Sequence, residues 1–426
     1  MTPRPVLSVL LAAMLATGVP ACRSGGSGAP DRATTTTRVL AAPEGLPGFY
    51  AVPLPVPRRP GVLIKREEVG VEGLRGRVYR VMYSSRSERG APVVVTGLVA
   101  VPAEPPAGGA PVVSWAHGTN GMADRCAPSL DPAGAIPTAI ANGFLERGWV
   151  VTATDYQGEG TPGLHPYIAG RAAAHDAIDI VRAARALPGV SLSGAYVVWG
   201  HSQGGHTAMH ALMLGPTYAP DLDLVGVVAG APPSQFEFIY RYLKDSPFKH
   251  YLLMAAGGLH AAYGREAPLG DVLTPYGRSL LGVLEQGCAA DVAARMAGVD
   301  VDRVVKADPF QVPRWKRVLL RSDPQGFRRS SPVPLLIIHG GDDEQIPVAS
   351  SGLLADHLCR LGQDLTRWVY PGRNHAGVIV PAAEDMTRWI EHRFQGAPGP
   401  DPDVPRAQPD VGVTRCPATP DGGVSG

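Results

Sequence analysis

The feature that most restricts the fold of this chain is a rhythm of short, nearly continuous apolar runs separated by longer amphipathic stretches. The runs occupy residues 112–116, 150–154, 196–199, 224–229 and 335–338. An apolar run without alternation marks a strand buried on both faces, the habit of a parallel sheet. Between the runs, residues 136–147, 172–187 and 203–214 carry helical periodicity. Strand alternating with helix predicts an α/β fold, a mostly parallel sheet with helices on both faces. Right-handed crossovers then gather the C-terminal strand ends, and the loops leaving them, along one edge of the sheet. Chemistry is expected at that edge.

Two alternating runs, 77–83 and 93–101, precede this pattern and read as antiparallel strands joined by a polar turn. After residue 229 the rhythm stops for about a hundred residues, too long for a structureless loop. Apolar helical stretches at 251–263 and 280–284 predict a helical cap inserted into the sheet order. The expected organisation is therefore a core at 43–230, a cap or lid at 231–330, the core resumed at 331–395, and a tail at 396–426 rich in Pro, Gly and Asp. The resumed core should hold a helix at 350–361, a strand at 367–370 and a last helix at 383–393.

With 426 residues, 45% of them hydrophobic and 18% charged, the chain can bury a large core. Its 39 basic residues balance 38 acidic ones without a Lys/Arg-rich block, which argues against a nucleic-acid partner. Residues 1–22 read as an export signal, with Arg4, an apolar stretch from Val6 to Leu15, and small residues ending at Cys22. That stretch is too short to span a bilayer. Val19-Pro20-Ala21-Cys22 resembles a lipoprotein cleavage box, which would make Cys22 a lipidated membrane anchor; plain secretion after a later cut is the alternative. Residues 23–42 have the composition of a flexible linker. Four further cysteines, Cys126, Cys288, Cys359 and Cys416, suggest two disulfides in an exported chain, with three pairings open.

Gly200-His201-Ser202-Gln203-Gly204 follows an apolar strand and opens a helix. This is the pattern of a nucleophile elbow, a tight turn that raises the serine oxygen above the sheet. The helix start favours negative charge there, and the Gln203 N–H is placed to donate to an oxyanion. A serine at its free pKa needs a base, and the base needs an orienting acid. The acid is expected after the 335–338 strand, where Asp342, Asp343 and Glu344 stand together. His339-Gly340 followed by Asp343, then by Ile346-Pro347, resembles the hydrolase register that selects Asp343, with Asp342 the next candidate. His375, in the small-residue loop Pro371 to Gly377, is the candidate base. For the second oxyanion donor, His117-Gly118-Thr119-Asn120 follows the 112–116 strand; Thr119 is favoured, with Gly118 and Asn120 as alternatives. A metal site is disfavoured, because His201, His206 and His210, or His175 with Asp176, come without an H-E-x-x-H pattern.

With these residues in place, the chain resembles the secretory lipase family of bacteria and fungi, an α/β-hydrolase family. Beyond Ser202, Asp343 and His375, the likeness lies in His117-Gly118-Thr119, in Cys126-Ala127-Pro128-Ser129, and in the run Asp155-Tyr156-Gln157-Gly158-Glu159-Gly160-Thr161-Pro162-Gly163. The resemblance implies hydrolysis of lipophilic esters or acylglycerols through a Ser-His-Asp triad and an acyl-enzyme, without cofactor or metal. It also implies a helical lid and the pairings Cys126 with Cys288 and Cys359 with Cys416. The same triad would serve a peptidase or amidase, and an idle triad would leave an envelope lipid-binding protein.

Overall fold

The computed structural model describes residues 38–135, 138–396, 405–406 and 410–416; the export segment and Cys22 lie outside them. In chain order the strands are β1 (Arg38–Leu40), β2 (Val52–Leu54), β3 (Leu63–Val69), β4 (Gly76–Arg86), β5 (Pro92–Pro102), β6 (Ala110–Ala116), β7 (Val150–Thr154), β8 (Leu192–His201), β9 (Asp223–Gly230), β10 (Leu335–Gly340), β11 (Leu365–Tyr370) and β12 (Gly412–Cys416). β3 to β12 form one sheet in the order β12-β11-β10-β9-β8-β6-β7-β5-β4-β3. From β7 to β11 every neighbouring pair is parallel, while β3, β4 and β5 flank it antiparallel.

The apolar runs are continuous because successive residues feed two different cores. Val112, Val150, Tyr196, Val198, Leu335 and Ile337 pack under helices Gly170–Ala184, Gln203–Tyr218 and Val348–Arg360. Their chain neighbours Val113, Val151, Val197, Trp199, Leu336 and Ile338 pack on the other face, under helices Thr138–Leu145 and Ile379–Gln395. Period-two side-chain alternation on a doubly covered sheet leaves no polar face to interrupt the run.

Between β9 and β10 the chain leaves the sheet for a helical cap, from helix Phe236–Lys244 to helix Pro313–Ser322. The cap has its own core, which includes Leu253, Met254, Leu259, Leu284, Val292 and Trp315. Asp323, at its exit, accepts the backbone N–H groups of Gln235 and Phe236 at its start (3.0 and 2.7 Å), so one carboxylate clasps both ends. A Cys126–Cys288 disulfide ties the cap to the core.

Three parts differ from the sequence expectation. The stretch read as linker to residue 42 ends earlier, because β1 pairs antiparallel with β2. β3 adds an edge strand whose mixed sequence shows no clear run. The tail, for which the Pro, Gly and Asp content suggested no element, contributes β12, antiparallel to β11 and fixed by the Cys359–Cys416 disulfide. A covalent tie and an open sheet edge supply the order that its apolar content could not. Among the described residues no helix is long and apolar enough to cross a membrane.

Candidate active site

Ser202 sits between the end of β8 and the start of helix Gln203–Tyr218 with φ 60° and ψ −119°. A non-glycine residue held there costs on the order of 1–3 kcal/mol, so its surroundings must impose it. The Ser202 N–H donates to the Gly230 carbonyl at the end of β9 (2.9 Å), and its own carbonyl accepts from His206 N (3.0 Å). A Cβ on Gly200 would collide with the Gly204 carbonyl, and one on Gly204 with the Ala116 carbonyl at the end of β6. These two glycines let the helix start press onto the strand ends.

At the end of β10, Asp343 is buried and its Oδ2 lies 2.7 Å from His375 Nδ1. The other oxygen, Oδ1, accepts from the backbone of Gln345 (2.9 Å) and Ile346 (2.8 Å). Burial alone would raise this carboxyl. The hydrogen bond from His375 and the His339 ring 3.2 Å away outweigh burial and hold it well below the ordinary carboxylate range. Of its acidic neighbours, Asp342 is exposed, and Glu344 accepts the backbone N–H of His375 (3.0 Å), fixing the histidine loop. The His375 ring packs against His201, with centroids 4.7 Å apart, which brings it beside the residue preceding Ser202. Burial, helped by the charge of His375, pushes His201 down to about 3.

The loop after β6 passes over the elbow. A Cβ built on Gly118 would lie 3.8 Å from Ser202 Cβ. His117 Nδ1 donates to the Gly118 carbonyl (2.6 Å), and in a planar trans peptide this turns the Thr119 N–H to the opposite side. The Thr119 hydroxyl meets Tyr167 Oη at 2.9 Å, and the Asn120 carbonyl accepts from Ala289 N of the cap (2.7 Å). Above Ser202 a cavity of about 120 Å³ is walled by cap residues, among them Phe236, Ile239, Leu259, Phe310 and Trp315, with Ser202 and Ile346 from the core. Its walls are almost wholly apolar.

The family model described as secretory lipase matches residues 135–401. This chain belongs to the secretory lipase family. It is 27% identical over 350 residues to a Mycobacterium tuberculosis protein named a "probable inactive lipase", covering 78% of this chain and 77% of that one. It is 27% identical over 337 residues to a secreted triacylglycerol lipase of Malassezia globosa, covering 75% and 72% respectively. Candida antarctica lipase A has the same fold, with a TM-score of 0.71 at 20% identity over 82% of this chain and 85% of that one.

In this chain the Asp155 run holds core segments together. Asp155 accepts from Ser129 N (2.8 Å), from the Ser129 hydroxyl and from Thr96 Oγ1 (2.7 Å), and burial pushes it up to about 6. Two further groups stand in the sequence motifs without a role of their own there. Glu159 is fully buried, 3.8 Å from Nε2 of both His117 and His165, and neither of its oxygens has a hydrogen-bond partner among the described residues. Burial, together with the charge of Asp155, raises it well above the ordinary range. His165 Nε2 meets Gln203 Nε2 at 2.8 Å, joining this cluster to the elbow. The second group is His339, fully buried, with Nε2 3.2 Å from Asp343 Oδ2. Its place in a His-Gly strand end was visible; its reach to Asp343 was not. Of the histidines weighed as metal ligands, His206 and His210 both direct Nε2 to the Ser322 carbonyl (2.7 and 3.0 Å), and His175 binds the Arg86 carbonyl (3.1 Å). Each of these three donates a ring N–H to a backbone carbonyl, and the His206 and His210 rings lie 4.6 Å apart.

Proposed function

We propose that this secretory lipase cleaves carboxylic esters of lipophilic substrates, acylglycerols among them, with Ser202 as nucleophile, His375 as base and Asp343 as the acid. One observation carries the reading: Asp343 and His375 share a 2.7 Å hydrogen bond in the two loops beside the strained Ser202 turn. His375 takes the Ser202 proton as the hydroxyl attacks the ester carbonyl, and Asp343 stabilises the imidazolium. The N–H groups of Gln203 and Thr119 hold the oxyanion, the alcohol leaves with the proton, and water activated by His375 clears the acyl-enzyme. The apolar cavity supports a lipophilic acyl or alcohol group, with the cap as its lid. The disulfides and the secreted relatives support an exported protein, and Cys22 is proposed as its lipid anchor.

The Mycobacterium relative's name makes activity the first quantity to measure. Wild type and Ser202→Ala are assayed on p-nitrophenyl esters of increasing chain length and on aminoacyl anilides. Ester turnover that vanishes in Ser202→Ala is expected. Anilide turnover without ester turnover would overturn the esterase reading, and unchanged activity in Ser202→Ala would overturn the mechanism.

A further inference from the structure

We propose that His339 is a positioning residue that sets the charge Asp343 presents to His375, through a relay running back to Arg367. This rests on the triad reading above. His339 stands in β10, four residues before Asp343, and is fully buried. Its Nε2 lies 2.9 Å from the Ile346 carbonyl and 3.2 Å from Asp343 Oδ2. Both oxygens can only accept, so Nε2 carries the proton; its N–H bonds the Ile346 carbonyl and turns its positive edge to Asp343 Oδ2. On the other side Nδ1 lies 2.8 Å from Ser351 Oγ, whose lone pair receives the Arg367 Nε–H at 2.9 Å. The hydroxyl also lies 3.1 Å from the Val348 carbonyl, which already accepts the Arg367 Nη2–H (3.0 Å); its hydrogen is divided between that carbonyl and Nδ1, which leaves the histidine proton on the Asp343 side. The relay Arg367, Ser351, His339, Asp343 thus joins β11, helix Val348–Arg360 and β10 to the acid.

The consequence concerns Oδ2. His375 Nδ1 donates to this oxygen, and the His339 Nε2–H, bonded to the Ile346 carbonyl, lies 3.2 Å from it, so its positive edge draws off charge that His375 would otherwise receive. An acid that binds an imidazolium too firmly holds the base protonated before substrate arrives; His339 limits this while keeping the carboxylate in place. Other groups face the pair as well. His201 packs on the His375 ring, Glu344 takes the His375 backbone N–H, and Tyr251 reaches Gln345 of the acid loop (2.9 Å). None of these donates a proton to Asp343 Oδ2.

The test compares wild type, His339→Leu, His339→Gln and Ser351→Ala in kcat, KM and the pH profile of kcat/KM on one soluble p-nitrophenyl ester. Thermal unfolding is recorded in parallel. In His339→Leu the acidic limb should move up by about half a pH unit and kcat fall by about tenfold, with KM within about twofold. His339→Gln keeps an N–H near the Nε2 position and should restore most of both. Ser351→Ala, which loosens the relay one step away, should move the limb in the same direction by less. An acidic limb unmoved in all folded variants would overturn the proposal, as would a loss of kcat in His339→Leu that His339→Gln does not recover. If His339→Leu does not fold, the limb in Ser351→Ala decides, and its staying unmoved would overturn the proposal. Failure of the triad reading is distinguishable, since it would appear as Ser202→Ala retaining full activity.

Discussion

Two buried carboxylates at the strand-end edge, Asp343 and Glu159, differ in what surrounds them, and the difference separates burial from the effect of donors. Asp343 receives two backbone N–H groups and lies within reach of two histidines, and it is held ionised. Glu159 is buried at least as deeply between His117 and His165, yet its oxygens lack partners among the described residues, and its carboxyl is pushed upward. Desolvation acts on both in the same direction; hydrogen bonds to the charged form reverse it for one alone. In the proposed mechanism the ionised site serves the imidazolium, while the second lies 3.8 Å from His117, two residues before Thr119.

The largest test of this contrast is Asp343→Asn. If Asp343 orients and stabilises the imidazolium, kcat should fall by about 10⁴-fold while the fold persists. A loss below about tenfold would mean that a neighbour such as Glu344 takes over, and the contrast would lose its functional half. Next comes His117→Phe, which keeps a ring packed on Tyr156 but releases the Gly118 carbonyl. Freed to rotate, the Gly118–Thr119 peptide should cost part of one oxyanion donor, about tenfold to hundredfold in kcat with little change in KM. An equal rise in KM would place the ring in substrate binding instead.

The smallest effect is expected from Glu159→Gln, within about twofold in kcat at neutral pH, with its signature in stability. A raised folded-state pKa adds stability below the unfolded carboxylate value near 4 and loses it as pH rises through the folded value. The depressed Asp343 does the reverse, adding stability above that value and losing it as pH falls towards its own. The melting temperature of Glu159→Gln should therefore overtake that of wild type as pH rises, by about 2–4 °C for each roughly 1 kcal/mol removed. A difference between the two proteins that stays constant across pH would show that folding does not shift the Glu159 carboxyl.

The sheet was legible because each strand from β6 to β10 feeds two cores and so announces itself in consecutive apolar residues. β3 and β12 escaped because edge strands bury less and alternate weakly. The cap was readable as helical, but the cavity beneath it was not, since its lining is drawn from segments between Tyr167 and Ile346. Cysteine count implied two bridges; the pairing could be taken only from the family likeness, and the structure joins Cys126 to Cys288 and Cys359 to Cys416.

What the sequence determined by itself is local: the Gly200 to Gly204 turn, and the order in which Ser202, Asp343 and His375 leave their strands. Glycine placement and apolar runs act within a few residues, so they can be read in line. The tertiary structure decided which atoms meet. It set His375 against Asp343 and left Asp342 exposed. It also brought Arg367 to within one serine of His339, and buried Glu159 between two histidines. Those contacts join strand ends and loops far apart in the chain, and whether a carboxylate is charged depends on the donors that packing delivers to it.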